Sequence, residues 1–328
     1  MGEPLLLLNK VTKVFQVGAL FSKVRIYAVW DVTLEIGAEP VVFTLVGESG
    51  SGKTTLANIL LGLVKPTEGH VSFLGKSIES YKRSEFIRLV QPVFQNPYET
   101  FNPLKKIEVY FWSVIRRLGI ANGSGRAAEQ IIDEALHSVA LTWEEVRGKY
   151  PHEFSGGQLQ RLSIARALMV NPLLLVADEP VSMLDASLRV FVLNLFRKLK
   201  EEKRLYIVYI THDLATAYYL SDHIAVMLRG SIVETGPAEK VLLSPLHPYT
   251  MLLKESVPDP HKGKGEWLRS ETREEHVLEI EEYTEQGCKF ALRCPCVRDV
   301  CRKLMPPSTV VDGVTVKCWL YQAQGRGV

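Results

Sequence analysis

Short, almost continuous apolar runs recur along the chain and are separated by stretches with helical periodicity. The clearest of these runs occupy residues 41–46, 173–177, 206–210 and 223–228. Because such runs are apolar on both faces, they predict buried strands, and helices are predicted to begin near Leu184 and Asp213 between them. Buried strands that alternate with helices indicate an α/β fold with a mainly parallel sheet covered on both faces.

Two regions depart from this alternation. Between residues 101 and 150 the β-branched runs disappear and apolar residues recur at helical spacing, which predicts an inserted helical subdomain. From residue 241 onward, charged runs, prolines and cysteines predict a small Cys-rich C-terminal domain, with a linker near residues 258–265. The predicted organisation is an α/β core at residues 1–100 and 151–240, a helical subdomain at 101–150 and a C-terminal extension at 241–328.

The charge balance and hydropathy exclude some classes of partner. The chain has 39 basic and 37 acidic side chains and a net charge of +2, so it lacks the overall positive field typical of nucleic-acid binding. No apolar run approaches the roughly 18 to 20 residues that a membrane-spanning helix needs. We therefore expect no nucleic-acid partner and a location in the cytoplasm.

A glycine-rich loop follows the first of the clear apolar runs. Residues 47–54 read Gly-Glu-Ser-Gly-Ser-Gly-Lys-Thr, and an apolar helical pattern follows at 55–61. Glycines let backbone N–H groups approach phosphate oxygens, so this strand–loop–helix order predicts a nucleoside triphosphate site. Lys53 is predicted to reach the β- and γ-phosphates, and Thr54 to bind Mg²⁺. The residues predicted to contact the nucleotide here are Gly47, Glu48, Ser49, Gly50, Ser51, Gly52, Lys53, Thr54 and Thr55.

Two carboxylates follow the apolar run at residues 173–177. Asp178 and Glu179 are expected at the carboxyl end of a strand of the same sheet, beside the phosphate loop. There Asp178 is predicted to hold Mg²⁺ through water, and Glu179 to act as the general base that polarises the attacking water. Two acids after a strand are often only a helix cap, and the phosphate loop is what favours the catalytic interpretation.

A third motif, Phe-Ser-Gly-Gly-Gln at residues 154–158, opens an Arg-rich amphipathic pattern about 20 residues before the two acids. Backbone N–H groups at such a helix N-terminus can meet a γ-phosphate. The order and spacing of the three motifs resemble those of ATP-binding cassette (ABC) nucleotide-binding subunits, in which the position of Phe154 is usually Leu. The resemblance implies a RecA-like P-loop NTPase core and ATP and Mg²⁺ as ligands. It also implies nucleotide contacts from Ser155, Gly156, Gly157 and Gln158.

The resemblance extends to four further positions. It implies that Gln95 senses Mg²⁺ and water, that His212 contacts the γ-phosphate, and that Asp185 lies at a dimer seam. Phe15 stands at the position of an aromatic that stacks on adenine, with Tyr27 as the alternative. The implied Mg²⁺ ligands are Thr54, Gln95 and Asp178, and the implied catalytic residues are Lys53, Gln95, Glu179 and His212.

All five cysteines lie in the last 41 residues, a clustering that predicts metal binding or crosslinking. Residues 244–253 and the cysteine spacings resemble the oligopeptide and dipeptide branch of importers, which also includes nickel importers. The implied ligand set is Cys288, Cys294, Cys301 and Cys318, with Cys296 outside it. Four thiolates suit a [4Fe–4S] cluster, which we expect first, or tetrahedral Zn²⁺. Disulfides are the third alternative, because the cytoplasm is reducing.

The expected function is that of the ATP-hydrolysing subunit of an ABC importer for oligopeptides or dipeptides, at the cytoplasmic face of the membrane. The resemblance implies a head-to-tail dimer with a second ATPase subunit, identical or paralogous, on two transmembrane permease subunits. An extracellular solute-binding protein would supply the substrate. The alternatives are an oligosaccharide importer and a soluble ABC ATPase that acts on DNA or ribosomes. A catalytically dead cassette is disfavoured because the catalytic residues are intact.

Overall fold

A mixed eight-stranded sheet lies at the centre of the computed structural model, which describes residues 3–17, 24–120, 125–256, 282–283 and 286–322. From one edge to the other its strands are β11 (Ser308–Val311), β12 (Val314–Lys317), β10 (Ser231–Pro237), β9 (His223–Leu228), β3 (Val42–Val46), β8 (Tyr206–Thr211), β7 (Leu174–Asp178) and β6 (Val90–Val93). The five strands from β9 to β6 are parallel to one another, as expected for an α/β core.

The expectation of a mainly parallel sheet is nevertheless too simple. In the described residues β10 pairs antiparallel with β9, and the hairpin of β11 and β12 continues antiparallel from β10. The chain reverses between β9 and β10 at Arg229 and Gly230, which both have positive φ angles, of 42° and 84°. This backbone conformation matches the twist of a two-residue hairpin. The antiparallel edge therefore arises from a tight turn, and the sheet is mixed.

Helices cover both faces of the parallel strands. Alternate residues of one strand point to opposite faces, and Val42 and Phe43 of β3 accordingly belong to different apolar clusters. The helices of the core and extension are α1 (Lys53–Leu60), α2 (Arg83–Leu89), α8 (Ala186–Lys203), α9 (Leu214–Leu220), α10 (Ala238–Leu243), α11 (Pro248–Glu255) and α12 (Asp299–Lys303). The expected burial of the strands on both faces is confirmed.

A second, antiparallel sheet packs on the opposite side of α1 from the central strands. Its strands, in spatial order, are β2 (Val24–Ile36), β1 (Leu6–Val17), β4 (Glu68–Phe73) and β5 (Lys76–Ser77). Buried side chains of this sheet, such as Leu8, share one apolar cluster with Leu56 and Ile59 of α1. The phosphate loop at the start of α1 is thereby fixed between two sheets.

The residues of the region predicted to be helical, 101–150, form short helices packed beside the core, which are α4 (Glu108–Leu118), α5 (Gly125–His137) and α6 (Trp143–Val146). This region is flanked by α3 (Pro97–Thr100) and α7 (Gly156–Leu168). Phe111 of α4 and Ile132 of α5 belong to the same apolar cluster as Ile207 of β8. Because this core is continuous with that of the sheet, a separate helical subdomain is not confirmed.

The C-terminal extension continues the central sheet in its described part. Thr235 of β10 is in register with Thr315 of β12, and Phe290 packs in the same cluster as Val226 and Tyr249. A separate Cys-rich domain is therefore not confirmed, because strand β12 of the extension pairs with the edge of β10 and extends the central sheet. The linker expected near residues 258–265 lies outside the described residues. Within the described part of the chain, no helix combines the length and the apolar character that crossing a bilayer requires.

Candidate nucleotide-binding site

The phosphate loop connects the end of β3 with the start of α1, as the sequence predicts. Lys53 is buried, and its Nζ donates hydrogen bonds to the carbonyl oxygens of Gly47 and Glu48 at 2.8 Å each and to Ser51 Oγ at 3.3 Å. Burial lowers the pKa of Lys53, whereas the charges of nearby acids, Glu179 first among them, raise it. The carbonyl groups of the loop thus surround the ammonium group at the position expected for a phosphate ligand.

Glycine is required in this loop by the closeness of neighbouring strands. Gly52 has a φ of +103°, and a Cβ there would meet the carbonyl oxygen of Ala28 in β2. A Cβ on Gly47 would meet the carbonyl oxygen of Met227 in β9. A side chain at either position would displace the loop, since the obstacle is backbone.

Thr54 and Asp178 meet beside the loop. The Thr54 hydroxyl lies near the Asp178 carboxylate, which ends β7. Burial raises the pKa of Asp178, the nearby Thr54 hydroxyl lowers it, and the charge of Glu179 raises it again. A hydroxyl and a carboxylate are the hard oxygen donors that Mg²⁺ prefers, so this pair fits the predicted metal role.

Glu179 lies between two other predicted catalytic residues. Gln95 Nε2 donates to Glu179 Oε2 at 3.1 Å, and His212 Nδ1 lies 3.0 Å from Glu179 Oε1. These residues follow β6, β7 and β8, so the carboxyl ends of three adjacent parallel strands bring them together. Glu179 also has a φ of +44°, which is uncommon for a residue with a side chain. Its N–H donates to the Ile210 carbonyl oxygen at 2.9 Å, which helps to hold this conformation.

The signature residues begin α7. Ser155 Oγ accepts from the Gln158 N–H at 3.2 Å, and Gln158 Oε1 accepts from the Ser155 N–H at 2.9 Å, which forms a capping box. Gly156 lies near the Tyr98 hydroxyl, and Gly157 packs against Leu188. These contacts link the signature to α3 and α8, and Ser155 remains exposed.

Asp185 and the two aromatic candidates have local structural roles. Asp185 caps α8 by accepting from the N–H groups of Ser187 at 3.1 Å and Leu188 at 3.0 Å, and these bonds lower its pKa. Phe15 lies on β1 and is 40% exposed. Tyr27 lies on β2, with its ring 5.8 Å from that of Trp30. Both aromatic residues therefore belong to the antiparallel sheet beside α1.

The structure adds contacts to the phosphate loop that sequence reasoning missed. Arg293 makes two hydrogen bonds of 2.9 Å to Glu48, which lies 245 positions earlier in the chain. The hydroxyl of Tyr249 accepts from the Glu48 N–H at 2.9 Å, and that of Tyr283 donates to the Gly50 carbonyl oxygen. The only available signal was the acidic residue at position 48 in a loop expected to bind phosphate.

The five cysteines converge on a cavity of about 10 Å³ and are free thiols. Burial, opposed by a hydrogen bond from the Phe290 N–H and assisted by the neighbouring thiols, raises the pKa of Cys288 to about 12. Among the described residues, however, no three His, Cys, Asp or Glu side chains have the arrangement of metal ligands. The convergence of the predicted cysteines is thus found, whereas a metal site is not.

Comparison with known proteins identifies the family. Residues 30–182 match the family described as ABC transporter, and residues 233–301 match the family described as oligopeptide/dipeptide transporter, C-terminal region. A putative oligopeptide transport ATP-binding protein of Bacillus subtilis (strain 168) is 37% identical over 328 residues, which cover 97% of this chain and 96% of the relative. The chain belongs to the ABC transporter ATP-binding subunits. More narrowly, this ABC subunit is of the oligopeptide/dipeptide importer type, and it is an ATPase.

Other relatives of this ABC subunit agree. An oligopeptide transport ATP-binding protein of Escherichia coli (strain K12) is 38% identical over 287 residues, which cover 85% of this chain and 83% of the relative. The structure resembles an ATP-binding cassette solved as a dimer in a post-hydrolysis state with ADP and Pi. That cassette has a TM-score of 0.62 and 31% identity, covering 71% of this chain and 98% of the cassette. The match at residues 233–301 favours a peptide importer over the alternatives, an oligosaccharide importer or a soluble ABC ATPase.

Proposed function

We propose that this ABC subunit hydrolyses ATP in the site built around Glu179, and that hydrolysis powers peptide uptake. The observation that carries the proposal is the position of the Glu179 carboxylate, which is held by Gln95 and His212 at the same sheet edge as Asp178. A carboxylate fixed by two partners can accept a proton from a water molecule in one defined direction. This arrangement is what an in-line attack on a γ-phosphate requires.

Each polar residue of the site has a distinct proposed role. Lys53 exchanges its bonds to loop carbonyls for bonds to the β- and γ-phosphates. Thr54, Asp178 and Gln95 would hold Mg²⁺, which would supply positive charge beside the phosphate oxygens. Glu179 accepts the proton of the attacking water, and His212 orients Glu179 and contacts the γ-phosphate. Phe15 stacks on the adenine, with Tyr27 as the alternative.

The exposed position of Ser155, at the start of the signature, supports a dimeric mechanism. Ser155 to Gln158 begin a helix N-terminus, which favours an anion, and their contacts link them to α3 and α8. We propose that these residues cover the ATP held by a second cassette, identical or paralogous, with Asp185 at the seam. The chain would lie at the cytoplasmic face of the membrane and bind two permease subunits. An extracellular solute-binding protein would deliver the peptide to those subunits. We also keep as proposals the helical subdomain predicted at residues 101–150 and the C-terminal extension predicted at residues 241–328.

Lys53→Ala tests the nucleotide site directly. Loss of a buried, charge-assisted donor should weaken ATP binding by at least about 10-fold, because the phosphates lose their main cationic contact. The measurement is an equilibrium titration of the purified chain with ATP and Mg²⁺. Lys76→Ala, which removes an exposed lysine on β5, is the matched control. An unchanged affinity of Lys53→Ala for ATP would show that the phosphates do not bind at residues 47–54.

We also propose that the cysteine cavity holds a metal centre bound by Cys288, Cys294, Cys301 and Cys318. His247 supports this assignment, because its Nδ1 accepts the Tyr249 N–H at 3.0 Å, and the neutral ring then carries its proton on Nε2. That buried Nε2 has no hydrogen-bond partner and belongs to a residue that lines the cavity. A thiolate or an inorganic sulfide would supply the missing acceptor.

The cavity volume bears on which metal is bound. A volume of about 10 Å³ is close to that of one water-sized probe, so a [4Fe–4S] cluster requires a larger outward movement of the cysteine-bearing segments than Zn²⁺ does. Anaerobic purification followed by analysis of iron, zinc and acid-labile sulfide distinguishes the two. We expect about four irons per chain with broad visible absorption, and loss of both in Cys294→Ser. Zinc alone supports the alternative, and a protein without either metal contradicts the proposal.

A further inference from the structure

The acidic residue of the phosphate loop is paired with a cation of the C-terminal extension. Arg293 Nη1 lies 2.9 Å from Glu48 Oε1, and Arg293 Nη2 lies 2.9 Å from Glu48 Oε2. This is the two-pronged geometry in which a guanidinium matches a carboxylate best. Both side chains are mostly buried, with 25% and 28% of their surface exposed, so solvent screens the pair less than it would a surface ion pair.

Arg293 is itself held in place by a buried ion network. Its Nε lies 2.5 Å from Oε1 of Glu282, a fully buried carboxylate. The second oxygen of Glu282 accepts from Arg229 Nε at 2.8 Å, and Arg229 is part of the turn between β9 and β10. The Arg293 guanidinium also lies over the rings of Phe290 and Tyr249, at 5.2 Å and 5.9 Å. Burial lowers the pKa of Arg293, but the bonds to Glu48 and Glu282 raise it by more, so the cation is permanent.

The extension also contacts the backbone of the loop. The Tyr249 hydroxyl accepts the Glu48 N–H at 2.9 Å, and the Tyr283 hydroxyl donates to the Gly50 carbonyl oxygen. Tyr249 is fully buried on α11, so its hydroxyl has a fixed position. Three side chains of the C-terminal extension therefore fix the conformation of residues 48–50.

The charge of Glu48 explains why such an anchor is needed. Glu48 is the one acid among residues 47–54. Its charge acts on Lys53, so it lies within electrostatic range of the phosphate site. An unpaired carboxylate at this place would repel a triphosphate, and pairing it with Arg293 removes most of that repulsion.

We propose that Arg293 is a positioning residue for ATP: it neutralises Glu48 and holds the phosphate loop in its binding conformation. The proposal rests on the assignment of residues 47–54 to the nucleotide phosphates. It gives the C-terminal extension a role in nucleotide affinity. The extension would act on bound ATP through Glu48, without touching the nucleotide itself.

The test compares Arg293→Ala with the double variant Arg293→Ala/Glu48→Gln. Arg293→Ala leaves a carboxylate beside the phosphates, so we expect the Kd for ATP with Mg²⁺ to rise at least about 10-fold, or roughly 1.4 kcal/mol. In the assembled importer KM should rise similarly, with kcat within about 2-fold. Removing the Glu48 charge in the double variant should restore the Kd to within about 3-fold of the original, because Tyr249 and Tyr283 still hold the loop backbone. The Kd of Arg293→Lys should lie between those of the original chain and Arg293→Ala, because lysine keeps the charge but not the two-pronged bond.

Two controls separate this role from structural support. Arg302→Ala removes an exposed arginine of α12 and should leave Kd and KM unchanged. Thermal unfolding of every variant shows whether the fold persists. An affinity loss that Glu48→Gln does not rescue, or a lower melting temperature with unchanged Kd, would overturn the proposal. If Lys53→Ala abolishes ATP binding while Arg293→Ala has no effect, the nucleotide site stands and the role of Arg293 fails. If neither variant affects binding, the assignment of the nucleotide site fails as well.

Discussion

Glu179, the proposed general base, has an unfavourable backbone conformation. Its φ of +44° is uncommon for a residue with a Cβ, and such conformations typically cost about 1–3 kcal/mol. The surroundings compensate, because Gln95 and His212 bind the two carboxylate oxygens and the Ile210 carbonyl oxygen accepts the Glu179 N–H. The local geometry thus directs the carboxylate toward the sheet edge that carries Asp178.

Glu179→Gln should separate hydrolysis from binding. Glutamine has nearly the same shape, but it cannot accept the proton of the attacking water, so we expect turnover to fall by at least about 100-fold with little change in ATP affinity. Turnover is measured in the assembled importer, and affinity by equilibrium titration. Glu201→Gln, an exposed change on α8, is the control. Hydrolysis close to that of the unmodified chain in Glu179→Gln would exclude Glu179 as the base.

At the residue scale, the sequence predicted the location of a side chain in the fold where a local motif carried the information. Lys53, Asp178 and Glu179 could each be found because a glycine-rich loop or a strand end fixes the chemistry of its neighbours. The pairing of Glu48 with Arg293 could not be predicted, because 245 positions separate the two residues and no sequence motif connects them. Long-range ion pairs depend on the packing of the folded chain, which periodicity does not encode.

At the scale of elements, buried strands and helix starts were the predictable features. The strands β3, β7, β8 and β9 are buried on both faces. Burial on both faces requires a continuous apolar run, which can be recognised in the sequence without knowledge of the rest of the fold. The Ser155 capping box likewise follows from four adjacent residues. Strand direction at the sheet edge was not predictable, because it depends on a two-residue turn at Arg229 and on pairing with a hairpin about 80 residues later.

The cysteine-rich segment and the phosphate loop are linked through one short stretch of chain. Cys288 and Cys294 flank residues 289–293, and the Cys288 N–H donates to the Cys301 carbonyl oxygen at 2.7 Å. Arg293, which binds Glu48, is the residue next to Cys294. A displacement of this stretch would therefore reach the loop directly, so the extension is part of the structure that shapes the nucleotide site.

At the scale of the whole molecule, the phosphate loop and the signature, the two proposed nucleotide-binding motifs, are supported by different parts of the fold. The phosphate loop is fixed between the two sheets and the C-terminal extension, whereas the signature at the start of α7 is joined to α3 and α8. Ser155 remains exposed in this arrangement. Such a division is expected when each half of a site is completed by another molecule.

Gly156→Asp tests this division of labour. An Asp at the first position of a helix favours α7, and its Cβ would have only ordinary contact with Tyr98, so the fold should persist. A carboxylate there would repel the phosphates of the partner's ATP, so turnover in the assembled importer should fall at least about 10-fold. The isolated chain should bind ATP within about 2-fold of normal, because its own phosphate loop is untouched. Gly156→Ala, which adds the Cβ without the charge, should retain most turnover. If Gly156→Asp instead weakened ATP binding by the isolated chain, the signature would act on its own nucleotide and the composite site would be wrong.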